Sequence, residues 1–99
     1  MKTKEVEVNW QDSPVKVILK ELTFGEKNEL LEQAADVSGK GGELSTNINV
    51  RKLKEFALLK GIKEAPFEIT ISNIRNLTAS DGENLYNELD KLNNPDPKG

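Results

Sequence analysis

The stretch from Val15 to Ala35, VKVILKELTFGEKNELLEQAA, constrains the fold most, because a strand pattern runs directly into a capped helix pattern. Val15, Val17 and Leu19 alternate as on a half-buried strand. Thr23-Phe24-Gly25-Glu26 then has the form of a capping box, in which the threonine hydroxyl accepts from the amide three residues on and the Glu26 carboxylate accepts from the cap's own amide. On a helical wheel Phe24, Leu30, Leu31, Ala34, Ala35 and Val37 take about half the circumference, with Glu26, Glu29, Glu32 and Asp36 opposite. The spacing predicts an amphipathic helix with an acidic stripe. A solvated face explains that stripe more simply than a groove for a basic partner does.

Upstream, Val6, Val8 and Trp10 alternate with Glu5, Glu7 and Asn9, and Gln11-Asp12-Ser13-Pro14 supplies turn chemistry. Two strands so joined pair as an antiparallel hairpin. A lone hairpin is marginal in water, so its Val/Trp face must lie on the helices downstream. Trp10 is then core or core rim, or else a binding hot spot.

Ser38-Gly39-Lys40-Gly41-Gly42 reads as the end of the first long helix and a flexible linker, with Glu43 to Thr46 continuing the loop. Its GK pair lacks the spacing of a phosphate loop. A second helix is expected from Asn47 or Asn49 to Lys60, with Gly61 as a left-handed residue after it and Ile62 packing back on the last turn. Val50, Leu53, Phe56 and Ala57 share one side of that helix while Leu58 and Leu59 lie off it, as expected of a central helix or of one with a face held for a partner. Lys63 to Phe67 reads as a connection. The segment after it alternates like a strand at Phe67, Ile69 and Ile71, but Ile71, Ile74 and Leu77 favour a short helix over 71–77 capped by Thr70 or Ser72. Ser80-Asp81-Gly82-Glu83 repeats the capping-box form ahead of Leu85, Tyr86, Leu89 and Leu92, giving a final helix to Asn93. Residues 94–99 read as a mobile tail. The expected architecture is a single α+β domain over residues 1–93: an N-terminal antiparallel β-hairpin packed on three to four α-helices.

The chemistry on offer is sparse. Ninety-nine residues with 35% apolar and 31% charged content make one small core, which leaves apolar surface for a partner to complete. The chain has no cysteine and no histidine, so disulfides and the usual zinc, thiol and imidazole chemistries are absent. Asp81-Gly82-Glu83 does not fit a calcium loop, and no carboxylate pair is singled out for acid–base work. The expectation is a non-enzyme with no cofactor and no metal, and with neither a signal-peptide run nor a membrane span, hence cytoplasmic. A net charge of −3 argues against general nucleic-acid binding. The basic stretch Arg51, Lys52, Lys54, Lys60 and Lys63 nevertheless supports an alternative, a small regulatory nucleic-acid binder. Against it, Leu58 and Leu59 interrupt the basic face, and the connection from Gly61 to Thr70 is long for a helix-turn-helix.

The order of elements carries a resemblance. KELTFGEKNELLEQA, the APFEIT connection before a short helix, and the closing DGENLYNELDKLNNP together span most of the chain. The sequence resembles the small tail assembly chaperones of long-tailed bacteriophages and of related archaeal viruses and proviruses. That resemblance implies a protein that covers a long helical tape-measure protein before tail-tube subunits polymerise, in the host cytoplasm. A structural tail subunit is the neighbouring alternative, and self-association is compatible with either. Helix geometry then offers Phe56, Leu58 and Leu59 as partner contacts, with Trp10 and Tyr86 secondary.

Overall fold

The computed structural model describes residues 2–40 and 43–94, with the backbone alone over 36–47. It is an α+β fold in which an N-terminal antiparallel hairpin packs on helices, as expected. β1 (Thr3–Trp10) and β2 (Ser13–Lys20) pair in continuous register from Thr3 opposite Lys20 to Trp10 opposite Ser13. The turn is tighter than the sequence suggests, since Ser13 and Pro14 already belong to β2. Gln11 and Asp12 alone make it, at φ 50° and 64°, the left-handed pair that matches strand twist in a two-residue hairpin. Asn9 N–H points out of the ladder to the Asp81 carboxylate at 2.9 Å, so the Asn9–Pro14 pair is a non-hydrogen-bonded one. That position tolerates a proline, which has no N–H to donate.

Val6, Val8, Val17 and Leu19 form the buried face of the hairpin, and Leu30, Ala57, Leu58, Ile62, Ile74, Leu77, Leu85 and Leu89 complete the core. No polar side chain is buried among the described residues. Ion pairs instead seal the rim, as where Lys4 of β1 meets Glu88 on the last helix. That contact is the main reason the Glu88 carboxyl is held below the usual carboxylate range, with burial opposing it.

α1 (Phe24–Ala34) begins with the expected capping box: Thr23 Oγ1 accepts from Glu26 N at 3.1 Å, and Thr23 N donates to Glu26 at 2.9 Å. The second bond is the main cause of a lowered Glu26 pKa. The helix ends one turn earlier than the apolar wheel implies. Ala35 is extended, and Asp36 and Val37 belong to a strand. The expected linker is in fact a second hairpin, β3 (Ala35–Lys40) with β4 (Glu43–Ile48), in register from Ala35 opposite Ile48 to Lys40 opposite Glu43. Gly41 and Gly42 lie outside the described residues. The physical reason for the correction is that Gly-Gly between two six-residue segments serves a hairpin turn as well as it serves a linker.

α2 (Val50–Gly61) is capped by Asn49, whose side chain accepts from Lys52 N at 3.1 Å. Gly61 is the last helical residue and not a left-handed one, and the cap is Ile62, which is extended and buried in the core. It leads straight into β5 (Ile62–Glu64), which pairs with β2 and makes the sheet three-stranded in the order β1-β2-β5. Gly61 is needed for space: a Cβ there would lie 2.6 Å from both terminal carbons of Leu89. α3 (Ile71–Arg75) is the short helix expected, capped by Thr70 and two residues shorter than its apolar spacing. α4 (Ala79–Asn93) starts before its apparent capping box. Thr78 is the cap and accepts from Asp81 N at 3.1 Å, leaving the Asp81 carboxylate for β1. Asn93 closes the structure by accepting Leu22 N–H at 2.6 Å, and Asn94, expected in the tail, is tied to Asp90 and Lys27. Residues 95–99 lie outside the described residues. Among those described, no helix is long and apolar enough to cross a membrane.

Candidate partner-binding face

The arc that α1 buries is narrower than the arc its sequence makes apolar. Leu30 and Ala34 are buried, but Leu31 is 44% exposed and Phe24 83% exposed. Leu31 therefore offers apolar surface on the side of α2 and α4. There the three helices bound an open groove of about 170 Å³. Leu30 and Leu31 of α1, Leu53 and Ala57 of α2, and Leu89 and Tyr86 of α4 supply its aliphatic and aromatic lining, and Leu22 closes one end. Lys27, Asp90, Asn93 and Asn94 give it a polar edge. Val50, one helical turn before Leu53, is 59% exposed, and Ile48 at the base of the second hairpin is 46% exposed. An apolar groove with a polar rim is a surface signature of a protein contact.

The residues expected at a partner contact divide. Tyr86 lines the groove, its ring carrying Lys54 Nζ at 5.7 Å from the centroid. Burial and the nearby Asp90 hold its hydroxyl pKa above the usual value, with Lys54 opposing them. Leu58 is 3% exposed and belongs to the core, which removes it from any surface. Phe56 and Leu59 are half-buried against that core. Trp10 is stacked on Phe67 with ring centroids 4.3 Å apart, so its exposed edge is what remains for a partner. Phe24, Leu31, Leu53 and Val50 were not singled out by helix geometry. For Phe24 and Leu31 the signal that could have found them is the width of the α1 apolar arc, which exceeds what the helix buries.

The basic stretch does not form one positive face. Lys54 bonds both carboxylate oxygens of Glu83, at 2.8 and 3.0 Å, and Lys60 meets Glu29 at 3.0 Å. Arg51 and Lys63 are exposed and Lys52 is half-buried. A second depression of about 200 Å³ beside the start of α4 carries Arg51 and Arg75, but Glu55 engages Arg75 through two bonds of 3.0 and 2.9 Å, which raises the guanidinium pKa. The acidic stripe is similarly engaged: Glu26 pairs with Lys20 and Glu29 with Lys60. Among the described residues no group of acidic side chains is placed to hold a metal ion.

Compared with protein families, curated proteins and solved structures, the chain matches none.

Proposed function

We propose that this chain is a non-catalytic protein-binding assembly factor that receives an apolar amphipathic helix of its partner on the α1–α2–α4 face. The observation that carries this reading is the half-exposed Leu31 on an aliphatic groove with a polar edge, on a chain that also exposes Phe24 and Val50. Helix-in-groove recognition uses anchors at i, i+3 or i+4, and i+7, and a groove walled by three helices offers matching rows. Magnitudes indicate weak, reversible contact. Each half-exposed aliphatic side chain gains less than about 1.5–3 kcal/mol on full burial, while association costs at least about 4 kcal/mol. A long apolar helical partner would thus be covered by several weakly held copies, which later subunits displace.

That behaviour fits a tail assembly chaperone on a tape-measure protein, the more specific form of the proposal, which rests on the sequence resemblance. The nucleic-acid alternative is less well supported, because Lys54 and Lys60 are occupied by Glu83 and Glu29. A structural tail subunit would polymerise into a stable ring at physiological salt, whereas the assembly factor stays small.

The test is co-expression with a long apolar helical polypeptide of the tape-measure class, followed by nuclease treatment and gel filtration. The expected result is co-elution insensitive to nuclease, reduced at least about tenfold by Leu31→Glu with Val50→Glu, two exposed positions whose change spares the core. Co-elution abolished by nuclease, or unchanged in the double variant, overturns the proposal.

A further inference from the structure

We infer that the β3–β4 hairpin is a homodimerisation arm, in which the β3 edges of two copies pair antiparallel about a twofold axis at Ser38. This does not depend on the partner-binding reading. Among the described residues the hairpin contacts no other element extensively, and its two strands form a sheet of their own with both outer edges unpaired. Two strands alone are marginal in water, and a third strand or a helix is needed to hold them. Its root is nevertheless well set: Asn49 N–H donates to Ala34 O at 2.8 Å, so the ladder continues into the junction of α1 and α2.

That root bond also determines which way the β3 backbone points. Ala34 and Asn49 form a hydrogen-bonded pair, and in an antiparallel ladder such pairs alternate. Asp36, Ser38 and Lys40 therefore bond inward to β4, while the amides and carbonyls of Ala35, Val37 and Gly39 lie along the free edge. A second β3 can pair there only in registers that oppose odd positions to odd positions. One of these is set apart by charge. With the axis at Ser38, Val37 opposes Gly39 of the second copy, and Asp36 opposes Lys40 of the second copy twice over, by symmetry. Opposite charges directly across a pair are favourable, and like charges there are unfavourable. A slip of two residues in either direction loses the match. The β4 edge offers no equivalent, since Glu43 is its one charged residue. The product is a four-stranded sheet, β4-β3-β3-β4, with the exposed edges of β3 removed.

On the axis, Ser38 of each copy forms a non-hydrogen-bonded pair, with Cα atoms about 4.5 Å apart, inside the range a disulfide spans. The full chain has no cysteine, so Ser38→Cys is a unique reporter. Mild oxidation should convert Ser38→Cys to a covalent dimer, while Ser45→Cys, on the outer strands, stays monomeric. Sedimentation of Asp36→Lys, which sets a lysine against Lys40, should show dimerisation weakened about tenfold or more. Mixing it with Lys40→Asp/Glu43→Lys, whose charges complement it, should restore dimers. At a concentration where the parent is monomeric, circular dichroism melts of every variant should match the parent, because no dimer then contributes to stability. A monomer at all concentrations up to about 1 mM, equal cross-linking at both cysteines, or Asp36→Lys dimers as tight as the parent would each overturn the inference.

Discussion

The chain contains two antiparallel hairpins, and they differ in what lies beneath them. β1–β2 presents Val6, Val8, Val17 and Leu19 to α4 and the rest of the core, while its other face carries exposed Glu5, Glu7 and Lys16. β3–β4 has an equally regular register, and among the described residues its strands pair only with each other. Strand pairing is a local matter, decided by turn residues and by how the flanking helices deliver the chain. Stability is decided by whether a face is taken out of water. The first hairpin is the platform of the domain, and the second forms a separate two-stranded sheet.

The largest test of that contrast is Leu19→Ala. Leu19 is fully buried and sits where β2 passes from β1 to β5. Its truncation should lower unfolding free energy by about 2–5 kcal/mol, measured by urea denaturation. A loss under about 1 kcal/mol would mean that the platform is not anchored by this face. Next is Gly61→Ala. The methyl would overlap Leu89, itself 2% exposed and unable to swing into solvent. Overpacking should outweigh the helix propensity gained and leave a net loss of roughly 1–2 kcal/mol; a gain in melting temperature would place the α2–α4 contact elsewhere.

The pH dependence sharpens the same contrast at the rim of the platform. Glu88 and Glu26 are both held below their ordinary carboxyl value of 4.5. Depressed folded-state values mean that the unfolded chain binds more protons as pH falls. Their contribution is therefore present above the ordinary value and lost as pH drops through the lowered ones. Glu88→Gln should flatten that acid limb of stability without moving the neutral one greatly; an unchanged acid limb would show that Lys4 does not stabilise the charged form. The smallest effect is expected from excising the second hairpin. Replacing residues 36–47 with a short Gly-Ser turn joins Ala35 to Ile48, which already face each other in register. At a concentration where the chain is monomeric, thermal stability should change by less than about 1 kcal/mol, and a drop comparable to Leu19→Ala would mean that the arm packs on the platform after all.

The contrast also explains where reading the sequence succeeded. The β1–β2 hairpin, the Thr23 capping box, the Asn49 cap and the Thr70-capped short helix all follow from residues within a few positions of one another. At the second hairpin, Gly-Gly fits a turn and a linker equally well, and only pairing between Ala35–Lys40 and Glu43–Ile48 separates them. Gly61 shows the same limit. A glycine after a lysine at a helix end suggests a left-handed cap, but Leu89, far along the chain, is the reason a side chain does not fit. The candidate face was only partly visible for a related cause. Hydrophobic periodicity shows which residues a helix keeps apolar, not which of them a neighbour covers. Tyr86, an expected contact, does line the groove, whereas Leu58 lies off the main apolar side of its own helix and is nevertheless buried in the core.

What the sequence by itself determined, then, is the alternation of β1 and β2, the capped start of α1 and the α+β class, because each rests on short-range hydrogen bonds and periodicity. Tertiary structure alone decided that β5 joins β2, that the α1 apolar arc is only partly covered, and that β3 and β4 form a sheet separate from β1-β2-β5. Those outcomes depend on which surfaces meet across long stretches of chain, and burial, unlike capping or alternation, belongs to the pair of surfaces and not to either one.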